Sequence, residues 1–217
     1  MTHIRKQHID YTLYLVTDRS VMSAKSLEQA VEQAIQGGCT VVQLREKQVS
    51  SREFFETAQK VKQITDSHHI PLIINDRTDI CLAVNAAGIH VGQQDLPAKV
   101  VRSIVGPDKI IGVSVATLSE AIQAEQDGAD YLGVGAMFAT STKTNTRPVT
   151  IEQLTQIKQA VQIPVVAIGG IQSSNVTTLT NTGIDGIAVV SAFLAQENIT
   201  QAAEQLKTYF TGVGHEF

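Results

Sequence analysis

Tyr131-Leu132-Gly133-Val134-Gly135-Ala136-Met137-Phe138 is apolar, and the chain then turns polar at Thr140-Ser141-Thr142-Lys143. The apolar run is short and interrupted by glycine, which suits a buried strand of a parallel sheet that opens into a loop. Three hydroxyls beside one ammonium offer a dense set of donors for phosphate oxygens. Taken alone, the same residues also read as a Thr/Ser-rich surface turn with a solvated lysine. The sequence on either side changes that balance.

On both sides the same unit recurs, a short apolar strand followed by an amphipathic helix. Upstream, strands are expected over 12–17, 41–44, 72–74, 89–91 and 110–115, with helices over 26–35, 51–68, 78–85, 98–105 and 118–126. Downstream of Tyr131–Val134 come a helix over 151–161, a strand over 165–168, a helix over 175–182, a strand over 187–190 and a helix over 201–210. Four segments repeat a helix-ending pattern: Gly38-Cys39-Thr40, Gly88-Ile89-His90, Gly128-Ala129-Asp130 and Gly183-Ile184-Asp185. Each glycine suits a left-handed C-cap. Pro71 and Pro164 stop the preceding helices and stand at strand starts, where proline is tolerated. Eight alternating units imply an α/β chain with a parallel sheet. No G-x-G-x-x-G follows the first strand, so a closed (β/α)8 TIM barrel is favoured over a doubly wound sheet. One domain over 1–217 is expected, with 1–11 as an N-terminal extension and the barrel over about 12–210.

Bulk properties set limits on function. The chain has 217 residues, 43% hydrophobic and 18% charged, with a net charge of -4. It is long enough for a large core, too apolar for disorder, and carries no basic field for a nucleic-acid backbone. No run reaches bilayer-spanning length, and the basic N-terminus is followed by no apolar signal core. A cytoplasmic location is expected. Cys39 and Cys81 stand alone in apolar contexts, so buried thiols are expected and neither a disulfide nor a zinc site is indicated.

Polar residues collect at the C-terminal ends of the strands, the catalytic face of a barrel. After strand two come Gln43-Leu44-Arg45-Glu46-Lys47; alternation sets Gln43, Arg45 and Lys47 on one side, with Leu44 facing the other. An exposed charged loop is the alternative there. Asn75-Asp76-Arg77 ends strand three, and Gly92-Gln93-Gln94-Asp95 follows strand four. Asp76 and Asp95 together would suit Mg²⁺, which takes one or two carboxylates and completes its shell from phosphates and water. Separately, each would serve as a helix N-cap. Ser114 ends strand five. Gly169-Gly170 after strand seven and Val190-Ser191 after strand eight fall where barrels bind phosphate, although a Gly-Gly turn also serves simple chain reversal.

Taken in order, eight motifs resemble the thiamine phosphate synthase family: Leu15-Val16-Thr17-Asp18, Gln43 to Lys47, Ile74-Asn75-Asp76-Arg77, His90-Val91-Gly92-Gln93 with Asp95, Gly112-Val113-Ser114, Thr140-Ser141-Thr142-Lys143, Val166 to Ile171, and Val190-Ser191-Ala192. The resemblance runs from about Leu13 to Phe210. It implies a barrel that joins 4-amino-5-hydroxymethyl-2-methylpyrimidine diphosphate to a thiazole phosphate, with Mg²⁺ as cofactor. Pyrophosphate leaves, and carbon dioxide with it when the thiazole arrives carboxylated. By motif, Gln43, Leu44, Arg45, Glu46, Lys47, Asn75, Ser114 and Lys143 would contact the pyrimidine diphosphate. Arg45, Lys47, Ser114 and Lys143 would be catalytic, Asp76 and Asp95 would hold the metal, and Thr140, Ser141, Thr142, Gly170, Val190 and Ser191 would hold the thiazole phosphate. The family chemistry is dissociative, through a pyrimidine-methyl cation, and needs charge stabilisation without a nucleophilic side chain. The chain departs from the family at Ala136 and Ala139, where proline is usual, and at Asn145, where an acid is usual; a looser loop is expected.

Other functions fit less of the chain. A Schiff-base aldolase would use a strand-six lysine, but Lys143 follows small polar residues in a loop and lacks the desolvated setting that lowers a lysine pKa. A thiazole tautomerase or a non-catalytic ligand sensor of the same fold would lack part of the diphosphate and metal set. Small-molecule partners are expected, with a homo-oligomer left open.

Overall fold

The computed structural model describes residues 9–140 and 147–212. Eight parallel strands close into a barrel in sequential order, β1 pairing with β8 as well as β2. They are β1 Leu13–Val16, β2 Val41–Leu44, β3 Leu72–Asn75, β4 Gly88–Val91, β5 Ile110–Val115, β6 Tyr131–Val134, β7 Val165–Ile168 and β8 Gly186–Val189. The helices are α1 Leu27–Gln36, α2 Ser51–Ser67, α3 Thr78–Ala83, α4 Ala98–Val105, α5 Leu118–Gln126, α6 Ile151–Ala160, α7 Ser191–Leu194 and α8 Ile199–Thr211. Between β7 and β8 the helix is a 3₁₀ segment, Val176–Thr182. Its sequence VTTLTNT is rich in β-branched residues, which lose side-chain freedom in an α-helix.

Local capping follows the sequence closely. Ser26 accepts from the Gln29 amide at 3.1 Å to start α1. Ser50 with Glu53 and Thr150 with Gln153 form reciprocal capping boxes at α2 and α6. Each satisfies amides that a helix start leaves open. Alternation along the strands makes two cores. Leu13, Leu15, Val42, Leu44, Ile74 and Ile89 face the helices in the larger one, while Tyr14, Val41, Ile73, Tyr131 and Val166 fill the barrel interior.

The helix-ending repeat is real at three of its four positions. Gly38, Gly128 and Gly183 have φ of 91°, 90° and 75°. Two residues after each, Thr40, Asp130 and Asp185 donate an amide to the carbonyls of Leu13, Ile111 and Val165, at 2.7, 2.7 and 2.9 Å. Their side chains accept the return hydrogen bonds from the same three residues, at 3.1, 2.7 and 2.7 Å. A helix end is thereby latched to the start of the preceding odd strand. Gly88 is not the fourth member. It lies within β4, where an added Cβ would come within 2.3 Å of the Ile110 carbonyl oxygen. The left-handed residue of that unit is Asn85, at φ 52°, and Ala87 makes the matching amide bond to the Leu72 carbonyl at 2.9 Å. Asparagine tolerates this conformation better than most side chains, so a glycine-led register misses it by three residues.

Candidate active site

At the C-terminal end of the barrel lies a cavity of about 570 Å³. Gln43, Arg45, Lys47, Asn75, Asp95, Ser114, Thr140, Gly170, Val190 and Ser191 all line it. Seven consecutive strands, β2 to β8, thus bring these expected residues to one mouth. Ser141, Thr142 and Lys143, with Asn145, lie outside the described residues.

Two expected contacts depart from the pattern. The Leu44 side chain is fully buried in the core between strands and helices, because alternation turns it away from Gln43 and Arg45. The Glu46 carboxylate turns outward and pairs with Arg19 at 2.6 Å. Neither side chain lines the cavity.

The cations at the mouth are held by carboxylates. Arg45 pairs with Asp18 at 3.0 Å, and Lys47 pairs with Asp76. Asp76 has φ of 61°, a left-handed backbone that costs a non-glycine residue energy and is often retained at functional sites. The capping alternatives do not hold for the two aspartates. The N-cap of α3 is Arg77 and that of α4 is Pro97, neither with a side-chain cap bond. Asp95 instead closes its own loop by accepting from the Gly92 amide at 2.7 Å. Its carboxyl is pushed above the usual range, chiefly by burial and then by the nearby Asp76 charge. Two carboxylates in such proximity favour a bound cation. Among the described residues no group of three or more His, Cys, Asp or Glu side chains forms a metal cluster. A two-carboxylate set fits Mg²⁺ completing its shell from a diphosphate and water.

Gly170 shows why the β7 loop needs glycine. At φ 65°, an added Cβ would lie 2.5 Å from the Ala139 carbonyl oxygen and 2.8 Å from that of Phe138. The loops after β6 and β7 therefore touch backbone to backbone. At the Ala136 departure the amide donates to the Arg147 carbonyl and the carbonyl accepts from Val149, both at 2.9 Å. A proline would supply no such donor.

Several residues at or below the mouth carry no assignment from the strand ends. Arg147 lines the cavity and makes two bonds to Glu120, at 2.7 and 2.8 Å, which hold the Glu120 carboxyl below the usual range. Its position four residues past Lys143, the last residue of the strand-six motif, hid it, though a lone arginine ending a polar loop was a signal. His90 lines the floor, and the buried Tyr14 and Tyr131 lie beneath it.

The closed barrel and this charged mouth define a (β/α)8-barrel enzyme that works at the C-terminal face of its sheet. The sequence model of the thiamine monophosphate synthase family matches residues 13–193. The chain belongs to that family. It is 61% identical over 205 residues to the thiamine-phosphate synthase of Ruminiclostridium cellulolyticum, covering 94% of this chain and 98% of that one. It is 57% identical over 205 residues to the thiamine-phosphate synthase of Clostridium beijerinckii, with coverage of 94% and 98%. A solved structure, thiamine phosphate pyrophosphorylase from Pyrococcus furiosus, superimposes with a TM-score of 0.87 at 39% identity, covering 95% of this chain and 98% of that one. Among the described residues no helix is long and apolar enough to cross a membrane.

Proposed function

We propose that this chain is a thiamine-phosphate synthase that moves the aminopyrimidine-methyl group from its diphosphate to the nitrogen of a thiazole phosphate. The observation that carries the reading is the pair of carboxylates, Asp76 and Asp95, set beside Lys47 and Arg45 at the mouth of the cavity. That set matches a leaving group of high negative charge. Arg45 and Lys47, and by motif Lys143, would bind the diphosphate oxygens, and Asp76 and Asp95 would hold Mg²⁺. Bound there, Mg²⁺ would supply charge neutralisation to the diphosphate.

The carbon–oxygen bond to the diphosphate breaks with its electron pair leaving on oxygen. The methylene carbon is left cationic, stabilised by the amino-pyrimidine ring, until the thiazole nitrogen gives it a lone pair. Arg45 and Lys47 stabilise the growing charge on pyrophosphate, and no side chain need attack carbon. Gln43, Asn75 and Ser114 would orient the pyrimidine. Thr140, Ser141, Thr142, Gly170, Val190 and Ser191 would seat the thiazole phosphate across from it. Bringing the two rings together in a walled cavity favours capture by thiazole over capture by water. A carboxylated thiazole would lose carbon dioxide after the bond forms.

The test is thiamine phosphate formation from the two purified substrates with Mg²⁺ and with EDTA. Product that requires the metal is expected. A folded protein that binds the thiazole phosphate yet forms no product with Mg²⁺ would overturn the reading, and tautomerase activity would be assayed next.

A further inference from the structure

Beneath the cavity a chain of hydrogen bonds crosses the barrel from β2 to β5. Gln43 Nε2 donates to the Tyr14 hydroxyl at 2.9 Å, and the Tyr14 and Tyr131 hydroxyls are 2.7 Å apart. The Tyr131 hydroxyl is 2.9 Å from His90 Nδ1, and His90 Nε2 is 2.8 Å from Ser114 Oγ. The two end groups and His90 line the cavity, while Tyr14 and Tyr131 do not. Both tyrosines are almost fully buried. Burial pushes their ionisation far up, so each remains a phenol with one proton.

One proton per phenol gives the chain a direction. Because Gln43 donates to Tyr14, the Tyr14 hydroxyl must pass its own proton to Tyr131. Tyr131 then donates to His90 Nδ1, which places the imidazole proton on Nε2, and Nε2 donates to Ser114. At one end the Gln43 amide is held in one orientation, with one Nε2 hydrogen used by Tyr14 and its carbonyl oxygen available to a ligand. At the other, the Ser114 hydroxyl proton is free to be donated. Reversing either end requires the amide to turn and every proton between to move with it. The fold makes room for this chain: a Cβ at Gly112 would fall 2.1 Å from the Tyr131 ring, and Tyr11 packs on that ring with centroids 4.8 Å apart.

We infer that Tyr14, Tyr131 and His90 are positioning residues that set the polarity of the cavity floor, so that Gln43 meets the pyrimidine as an acceptor while Ser114 meets it as a donor. This rests on the proposed function. An amino-pyrimidine presents the complementary edge, an amino N–H for Gln43 and a ring nitrogen lone pair for Ser114. The analogue with an oxo group in place of the amino group presents a carbonyl to the Gln43 carbonyl oxygen and a ring N–H to the Ser114 hydroxyl proton, the less favourable match at each end. A buried polar group left without a partner is costly, so the floor selects between two rings of nearly equal shape.

The experiment measures binding of the amino-pyrimidine diphosphate and of its oxo analogue, without the thiazole substrate, to wild type, Tyr131→Phe and Tyr14→Phe. Wild type is expected to favour the amino compound by roughly 30-fold or more. Each Tyr→Phe change keeps the ring, cuts the chain, and should shrink that preference to about 3-fold while leaving thiazole phosphate affinity unchanged. The Tyr14 variant cuts the same chain one link away and carries the test if Tyr131→Phe does not fold. A wild type that forms product without preferring the amino compound, or folded variants that keep the full preference, would overturn the inference and leave the synthase reading intact. A wild type that neither forms product nor binds the pyrimidine diphosphate overturns both.

Discussion

The two ends of this barrel use charge in opposite ways. At the N-terminal base, Asp130 and Asp185 each accept a strand amide and also bind a basic residue from a neighbouring helix, Arg102 at 2.5 Å and Lys158 at 2.6 Å. Arg102 further donates to the carbonyls of Gly106, Lys109 and Gly128. These side chains are tied into the backbone. At the C-terminal mouth, the Lys47–Asp76 and Arg147–Glu120 pairs join side chains over an open cavity, and a ligand can take over either cation. Charge builds structure where the cation is tied to backbone carbonyls, as at Arg102, and serves a ligand where the cation is held by a carboxylate at the cavity, as at Lys47.

Neutralising the mouth should have the largest consequence, confined to activity. Asp76→Asn and Asp95→Asn are each expected to lower kcat by roughly 100- to 1000-fold with little change in thermal midpoint, the range seen for losing one preorganised charge contact. Initial rates at saturating Mg²⁺, paired with melting curves, check this; a large stability loss without an activity loss would erase the contrast between the two ends.

At the base the effect should be reversed. Asp130→Ala removes the acceptor of the Ile111 amide and a partner of Arg102, and should cost about 2 kcal/mol of unfolding free energy. Denaturant titration reads this, and the folded fraction should keep its turnover. Gly183→Ala tests the latch turn alone: nothing lies within 4 Å of the new Cβ, so only the left-handed backbone resists, at about 1 kcal/mol.

The smallest effect is expected at the rim. Glu120 is held below its ordinary range by Arg147, so the pair contributes stability above the unfolded carboxylate value and loses it as pH falls through the lower folded value. The Arg147 side chain is 56% exposed, which limits the contribution to about 0.5–1 kcal/mol. Wild type minus Glu120→Gln, followed by urea unfolding from neutral to acidic pH, should show a difference that vanishes at the acidic end.

The same division explains what was legible in the sequence. Strand alternation separates Gln43, Arg45 and Lys47 from Leu44 because a parallel strand obeys a period of two. Glu46 follows the same alternation beyond β2 and turns away from the cavity to Arg19, so its place at the diphosphate came from the family motif taken whole and not from the spacing. The left-handed turns at Gly38, Gly128 and Gly183 were readable because glycine marks them, the one at Asn85 was not because asparagine also serves many other roles, and the bonds that latch these turns to the odd strands were visible only in the fold. Tyr14 and Tyr131 were hidden for another reason: an apolar run gives no sign that a phenol inside it points at another phenol across the barrel. Long-range juxtapositions leave no trace in local spacing.

The latches carry a consequence for how the barrel could be divided. Each joins one odd strand to the even strand that follows it, so the ring is four two-strand modules fastened at their base. A chain cut between α2 and β3 leaves every fastening inside a single fragment. A cut between α1 and β2 parts Thr40 from Leu13 and leaves that module to reassemble by collision. Circular permutants opened at module borders should therefore tolerate new termini better than those opened within a module.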